Sequence, residues 1–290
     1  NLKLLIVGDD LQLPPVGEES AYLFEFNCPE SRLTKIMRNS GKVSELQESI
    51  KKRVAKNQLF NLQKDWFIKC SEEKGDDNLI FLPFTEFRQE MFCAFERDPE
   101  NTKFLAFANK SVQEVNSKIR KYVFDLEAPF CEGEKLICNA PIQIENRTIA
   151  NNGDELKIVN VVSPSFINLE GITFEVLCLQ AENLDQEGNL ISFKVFDQSS
   201  KDFEIYKNRI EELYKDALTR KEKSAWRKYF WWVNAVANVA HTYALTIHKS
   251  QGRSIDTIFL EAPNCPQPKL QSRLWYVGTS RHIQRLYVCL

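Results

Sequence analysis

Short apolar runs that end in loops of small and polar residues constrain the fold of this chain most. Residues 2–7 read LKLLIV and lead into Gly8, and residues 103–108 read KFLAFA and lead into a stretch with Val112, Val115 and Ile119 at helical spacing. Such runs are typical of buried parallel strands whose carboxyl ends open into loops. The pattern recurs at 243–247, 257–260 and 285–290. Strands that alternate with helices predict a parallel α/β sheet.

The texture changes in the middle of the chain. Between residues 126 and 200 short β-rich pieces are broken by turn signals, among them the Asn152–Gly153 pair. Asn-Gly supplies the positive φ angles of a tight turn, so we expect a small all-β insertion, in the form of a compact barrel. Residues 201–236 then carry apolar side chains at helical spacing, which predicts a helical arm leading back into the sheet.

Composition excludes several classes of protein. The net charge is −2, so any contact with nucleic acid must come from a local groove of lysines and arginines. The eight cysteines form no C-x-x-C pair, which indicates reduced thiols and a cytoplasmic protein without a zinc site. No stretch approaches the roughly 18 apolar residues of a membrane span, so we expect no membrane partner.

Residues 7–16, VGDDLQLPPV, place a glutamine in a loop directly after a predicted strand. The Gln12 amide offers both a donor and an acceptor and could sense a γ-phosphate. Pro14 and Pro15 stiffen the exit of the loop, so a displacement at Gln12 would be transmitted. The structural alternative is a strand followed by a turn that the prolines end. The segment resembles the third motif of superfamily 1 helicases.

Residues 243–254, YALTIHKSQGRS, resemble the fifth motif of RecD-like helicases. Small and polar residues after a buried strand allow the backbone to approach a phosphate closely, with Gly252 as the least hindered position. Thr246, His248 and Lys249 can bond the sugar-phosphate chain without reading bases. As the alternative, His248 would be a hydrogen-bonded structural histidine.

Three further segments resemble motifs of the same family. In residues 274–281, LWYVGTSR, Arg281 takes the position of an arginine that neutralises charge on a transferred phosphoryl group; the alternative is an ion-paired arginine at the edge of the core. In residues 31–40, SRLTKIMRNS, Arg38 resembles the arginine of the fourth motif, or is a solvated side chain. After the strand at 103–108, Asn109 would touch a DNA phosphate, cap the following helix, or do both.

The motifs occur in the order found in RecD/Dda-like superfamily 1B DNA helicases, from Leu4 to Arg281. This resemblance implies a RecA-like α/β parallel sheet domain with an inserted SH3-like β-barrel and a helical arm. Residues 1–17 would be the tail of a first RecA-like domain. The other implied segments are a second RecA-like domain (18–125 and 237–290), the SH3-like insertion (126–200) and the arm (201–236).

The resemblance also implies an activity: ATP-dependent translocation along single-stranded DNA in the 5′ to 3′ direction with unwinding of duplex, in replication, repair or recombination. The implied catalytic residues are Gln12, Arg38 and Arg281. The implied ATP-binding set is Gly8, Asp9, Gln12, Arg38, Gln251, Gly252 and Arg281, and the implied DNA-binding set is Asn109, Thr246, His248, Lys249 and Ser250. ATP and Mg²⁺ are the expected cofactors.

No G-x-x-x-x-G-K-[ST] phosphate loop and no Asp-Glu magnesium pair after a strand occurs in the sequence. In this family both lie upstream, so we expect no metal ligand in this chain and no activity from it alone. Two alternatives stay open: a non-catalytic nucleic-acid-binding module derived from a helicase, and an RNA helicase or nuclease-fused repair subunit. Trp226, Trp231 and Trp232 could stack on bases, although aromatic residues at helical spacing are usually core.

Overall fold

The computed structural model describes residues 5–15, 18, 29–31, 41–62, 78–144, 147–186 and 188–289. The chain forms two compact units. The first comprises Asn1–Phe124 and Tyr243–Leu290, and the second comprises Asp125–Thr242. The chain therefore leaves the first unit once and returns to it, as expected of an inserted segment. Helices and strands are numbered below in chain order.

A five-stranded parallel sheet forms the centre of the first unit. Its strands, in spatial order, are β1 (Leu79–Leu82), β12 (His282–Cys289), β11 (Ile255–Leu260), β2 (Thr102–Ala106) and β10 (Ala244–Thr246). Every residue of β2 is buried, as its near-continuous apolar run predicts. The parallel sheet is thus confirmed, with strand ends that differ from the predicted ones by a few residues.

Helices cover the sheet of the first unit. They are α1 (Gly41–Ala55), α2 (Phe84–Arg97), α3 (Asn109–Tyr122), the short α6 (Ile247–Ser250) and α7 (Pro268–Thr279). The periodicity of Val112, Val115 and Ile119 correctly predicted α3. Apolar side chains of α2 and α3 pack on the sheet around Phe104 and Phe259, and α1 packs against α7. None of the helices in the described ranges is long and apolar enough to cross a membrane.

The strand predicted for residues 2–7 is not formed where the structure describes it. Residues 5–7 lie outside any strand, and the side chains of Leu5 and Val7 are 86% and 85% exposed. An apolar run becomes a strand only when a neighbouring strand takes up its backbone hydrogen bonds and its side chains are covered. No strand among the described residues pairs with this segment, so the local pattern alone was insufficient.

An antiparallel sheet forms the centre of the second unit. Its spatial order is β8 (Asn189–Val195), β7 (Ile172–Asn183), β6 (Glu155–Leu169), β3 (Lys135–Cys138) and β9 (Val239–His241), beside a hairpin of β4 (Ile142–Ile144) and β5 (Arg147–Ala150). Residues 151–154 form the expected turn between β5 and β6, with Gly153 at φ +93°. Among the described strands β8 and β9 are the open edges, so closure into an SH3-like barrel stays a prediction.

Two helices complete the second unit: α4 (Lys201–Arg220) and α5 (Lys223–Val233), within the segment predicted as a helical arm. Their apolar faces pack with the far ends of β6 and β7 around Trp232, which is fully buried and accepts a 2.6 Å hydrogen bond at its carbonyl from the Tyr206 hydroxyl. Trp232 is therefore a core residue and is not available to stack on bases.

The boundary of the second unit differs from the prediction. Residues 237–242 were assigned to the parallel-sheet domain, but β9 pairs with β3 and so belongs to the antiparallel sheet. The partner strand lies about a hundred residues earlier in the chain, and no turn signal marks the change of sheet between β9 and β10. Local pattern cannot reveal such a pairing.

Candidate functional site

The Asp9 carboxylate organises the loop that carries Gln12. Its Oδ1 accepts a hydrogen bond from the backbone N–H of Leu11 at 3.0 Å, and its Oδ2 accepts one from the Gln12 side-chain amide at 3.2 Å. The backbone carbonyl of Asp9 also accepts from the N–H of Gln12 at 3.1 Å. A short aspartate side chain that bonds its own backbone two residues on stabilises a tight turn. Gln12 is therefore held in a defined orientation, next to the exposed Gly8.

Gln12 and Gln251 meet although they lie far apart in the sequence. The Gln251 Nε2 donates to the Gln12 Oε1 at 3.0 Å. Gln251 ends α6, and Gly252 follows with φ +86°, in the left-handed region that favours glycine. The structure thus brings together three residues of the predicted ATP-binding set: Asp9, Gln12 and Gln251.

Two residues of α7, absent from the sequence prediction, contact the same loop. The Arg273 Nη1 donates to the backbone carbonyl of Gln12 at 2.7 Å, and the Tyr276 hydroxyl donates to the Asp9 Oδ2 at 3.1 Å. Burial raises the pKa of the Tyr276 phenol above its usual range, and Asp9 raises it further, while Arg281 opposes the shift. Their three-residue spacing places them on one face of α7, but no sequence signal shows that this face contacts the Gln12 loop.

Arg281 lies two residues beyond the end of α7 and is only 6% exposed. Its backbone carbonyl accepts a hydrogen bond from the N–H of Ile255 at 3.0 Å, which ties it to the start of β11. Its charge acts on the Tyr276 phenol, so the guanidinium lies within electrostatic reach of the Asp9 loop. Arg38, the other predicted arginine, lies outside the described residues.

The predicted DNA-binding residues of the fifth motif form the end of β10 and the turn of α6. The Thr246 Oγ1 caps α6 by accepting from the N–H of Lys249 at 3.3 Å. Burial lowers the pKa of both His248 and Lys249, whose side chains remain half-buried. His248 lies beside Phe107, with ring centroids 6.3 Å apart.

Two of the predicted DNA contacts are buried, Thr246 at 7% exposure and Ser250 at 0%. The Ser250 Oγ donates to the carbonyl of Ile247 at 2.8 Å. A hydroxyl bonded to the carbonyl three residues before it closes the helical turn. The Ser250 hydroxyl thus stabilises the turn of α6, and its contact with DNA stays a prediction.

Asn109 and Asn116 have different positions on α3. Asn109 is the exposed first residue of the helix, and the N-cap is Ala108, with no side-chain cap bond. The alternative of Asn109 as a capping residue is therefore wrong. Asn116 is buried and bonds both backbone groups of Ala244 in β10. Because β2 pairs with β10 in parallel, Asn109 follows β2 at the sheet edge where α6 follows β10.

No group of three or more His, Cys, Asp or Glu side chains suited to a metal ion occurs within the described ranges. The side chains that converge at Gln12 are amides, a guanidinium and a phenol, which are hydrogen-bond donors, together with the Asp9 carboxylate, which accepts from Gln12 and Tyr276. Amide and guanidinium donors are of the kind that bonds phosphate oxygens, and in this structure they bond one another and the backbone of the Asp9 loop.

Comparison with known proteins relates this chain to helicases. Residues 241–289 match the family model of the UvrD-like helicase C-terminal domain. The predicted resemblance to superfamily 1 helicases is thus confirmed. Among individual proteins, the chain is similar to the ATP-dependent DNA helicase Dda of Enterobacteria phage T4, with 25% identity over 304 residues and 95% of this chain. It spans 66% of the length of that relative.

Two solved structures are similar to this chain at low sequence identity. The Pif1 helicase of Candida albicans is 15% identical with a TM-score of 0.43, and 97% of this chain covers 62% of that one. The Bacteroides Pif1 helicase in complex with ADP-AlF3 and single-stranded DNA is 13% identical with a TM-score of 0.44, with 97% and 60% covered.

Proposed function

We propose that the chain is the C-terminal part of an ATP-dependent DNA helicase that moves along single-stranded DNA in the 5′ to 3′ direction and unwinds duplex. The observation that carries this proposal is the hydrogen bond between Gln12 and Gln251. It joins the loop suited to sensing a phosphate to the segment that begins with Thr246 and His248. The related Dda protein, an ATP-dependent DNA helicase, supports the same activity here.

ATP would be held by Gln12, Gln251 and Arg281 on this side of the nucleotide, with the backbone of Gly8, Asp9 and Gly252 beside them. The bound nucleotide supplies the free energy of phosphoryl transfer to water. Arg38 is proposed for the same site from its motif alone. The phosphate loop and the ligands of Mg²⁺ are expected in the upstream RecA-like domain.

Each of these side chains has a distinct task. The Gln12 amide, oriented by Asp9, tests for a hydrogen-bond partner at the phosphate end of the site. The buried guanidinium of Arg281 stabilises negative charge where water is largely excluded. Electrostatic stabilisation is stronger in such a place than at the protein surface. Through its hydrogen bond to Gln12, Gln251 transmits a displacement of Gln12 to α6.

DNA contacts are proposed for the sheet edge where β2 and β10 end side by side. Asn109, Thr246, His248 and Lys249 would donate to phosphate and sugar oxygens, contacts that carry no sequence information. Binding should therefore tolerate any sequence and weaken steeply with salt. Movement of α6 with Gln251 would shift these contacts along the strand.

The test is ATP hydrolysis by the full-length protein with and without a single-stranded DNA oligonucleotide. We expect turnover stimulated by DNA, and a loss of about 10³-fold or more in Arg281→Ala, on the usual effect of such an arginine. Arg281→Lys keeps the charge but lacks the planar fork and should also be impaired. The exposed Arg285 serves as control, because Arg285→Ala removes an arginine of the adjacent strand β12 without touching the site.

Unwinding of duplexes with a 5′ or a 3′ single-stranded tail tests the direction. DNA binding without ATP hydrolysis in the wild type would contradict the proposal and favour a non-catalytic binding module. Stronger stimulation by RNA than by DNA of the same sequence would contradict the assignment of the substrate, because only RNA offers the 2′-OH.

A further inference from the structure

One face of α7 holds the loop that carries Gln12. Arg273 and Tyr276 are three residues apart and therefore project from the same side of the helix. Arg273 bonds the backbone of Gln12 at 2.7 Å, and Tyr276 bonds the Asp9 carboxylate at 3.1 Å. Because Asp9 also bonds the Gln12 side chain, the two contacts from α7 fix both the backbone and the side-chain amide of Gln12.

We propose that Arg273 and Tyr276 are positioning residues that make the Gln12 loop and Arg281 move together during ATP hydrolysis. The inference rests on the proposed function and adds the residues through which its two halves are linked. Arg281 follows α7 directly after the C-cap Ser280. A helix is rigid over this length, so a displacement of the loop that pulls on Arg273 and Tyr276 also displaces Arg281.

Both contacts are charge-assisted hydrogen bonds, which are roughly twice as strong as neutral ones, but they hold different parts of the loop. The Tyr276 hydroxyl bonds the Asp9 carboxylate. The Asp9 and Arg281 charges act on the phenol with opposite sign, so Tyr276 responds to both the loop and the arginine. The Arg273 guanidinium donates to the backbone carbonyl of Gln12 and so fixes the distance between the loop backbone and α7.

Tyr276→Phe is the sharpest test, because it removes the hydroxyl and leaves the ring to pack. In the full-length protein we expect the kcat of DNA-stimulated ATP hydrolysis to fall about tenfold, the effect of losing one hydrogen bond to a charged group. The KM for ATP and the Kd for single-stranded DNA should change by less than about twofold, because a group that acts on the transition state alone lowers kcat. Arg273→Ala should resemble it, and Arg273→Lys should retain part of the rate.

Tyr122→Phe is the matched control, since the Tyr122 side chain is 64% exposed at the end of α3. A readout independent of activity is hydrogen exchange of the amides in residues 5–15. The Leu11 N–H is bonded to Asp9, so Tyr276→Phe should speed its exchange and Tyr122→Phe should not.

The outcomes separate the two proposals. Wild-type turnover and wild-type exchange in Tyr276→Phe, beside an inactive Arg281→Ala, would overturn the positioning role and leave the proposed function standing. An inactive wild-type protein would overturn the proposed function and the coupling with it, and faster exchange in Tyr276→Phe would then support only a structural contact. A raised KM with an unchanged kcat would also contradict the positioning role.

Discussion

The Asn116 side chain hydrogen-bonds both the backbone N–H and the backbone carbonyl of Ala244. Its Oδ1 accepts from the Ala244 N–H at 2.8 Å, and its Nδ2 donates to the Ala244 carbonyl at 3.2 Å. Both residues are buried, at 6% and 1% exposure, so neither backbone group could turn to water instead. The contact fixes α3 to the strand that leads to Thr246, and so sets the spacing between Asn109 and α6.

Asn116→Ala should therefore lower the free energy of unfolding by about 2–3 kcal/mol, because it leaves a buried donor and a buried acceptor unsatisfied. Chemical denaturation measures the change. The adjacent Ser117 is exposed, and Ser117→Ala should stay within about 0.5 kcal/mol of the wild type. Equal free energies of unfolding for the two variants would contradict a stabilising contribution of the buried Asn116 hydrogen bonds.

The sequence predicted the parallel sheet well and single contacts poorly, for physical reasons. Apolar runs such as 257–260 are buried on both faces wherever they lie in the sheet, so local pattern suffices for them. Residues 5–7 have the same pattern but need partners from elsewhere. The pairing of β9 with β3 depends on residues a hundred positions apart.

The residues of the candidate site also include some that the sequence predicted and some that it did not. Gln12 and Gln251 could be assigned to one site because their motifs mark them, and the structure places them in contact, while their roles stay predictions. Arg273 and Tyr276 could not, because a motif does not say which side chain bonds the loop of another motif. Ser250 shares a motif with His248, yet its buried hydroxyl bonds the Ile247 carbonyl within the same turn, which the motif does not reveal.

Stability should depend on pH through His248. Burial lowers the pKa of His248 in the folded state, whereas the unfolded chain keeps the usual value of about 6.5. Below that value the unfolded state binds more protons, so the free energy of unfolding falls as the pH decreases toward about 5 and is unaffected above about 7.5. His248→Gln cannot titrate and should remove this part of the dependence. If the free energy of unfolding of the wild type changed by the same amount as that of His248→Gln between about pH 7.5 and about pH 5, a lowered pKa of His248 in the folded state would be contradicted.

Lys249 should set part of the salt dependence of DNA binding. Its side chain is half-buried at the turn of α6, and burial lowers its pKa, which a nearby phosphate would reverse. Lys249→Ala should weaken binding of single-stranded DNA about equally for all sequences. It should also reduce the slope of log K against log salt by about 0.7, the value of one phosphate contact on a single strand.

The control for Lys249 is Lys52, an exposed lysine of α1. Lys52→Ala has the same change of net charge and should leave the slope unchanged, which separates a local contact from a general effect of charge. Fluorescence anisotropy over a range of salt concentrations gives both slopes. An unchanged slope in Lys249→Ala would remove this residue from the proposed DNA-binding set.

Gln12 and Gln251 should act as one unit in ATP hydrolysis. Their side chains bond each other at 3.0 Å, so removal of either leaves the other without its partner. We expect Gln12→Ala and Gln251→Ala each to reduce the DNA-stimulated kcat by at least about tenfold, and the double variant to be little worse than Gln12→Ala. Gln113→Ala, at an exposed position of α3, controls for loss of a glutamine. If the losses of kcat in the two single variants added up in the double variant, Gln12 and Gln251 would have independent roles. Gln251 would then not transmit a displacement of Gln12 to α6.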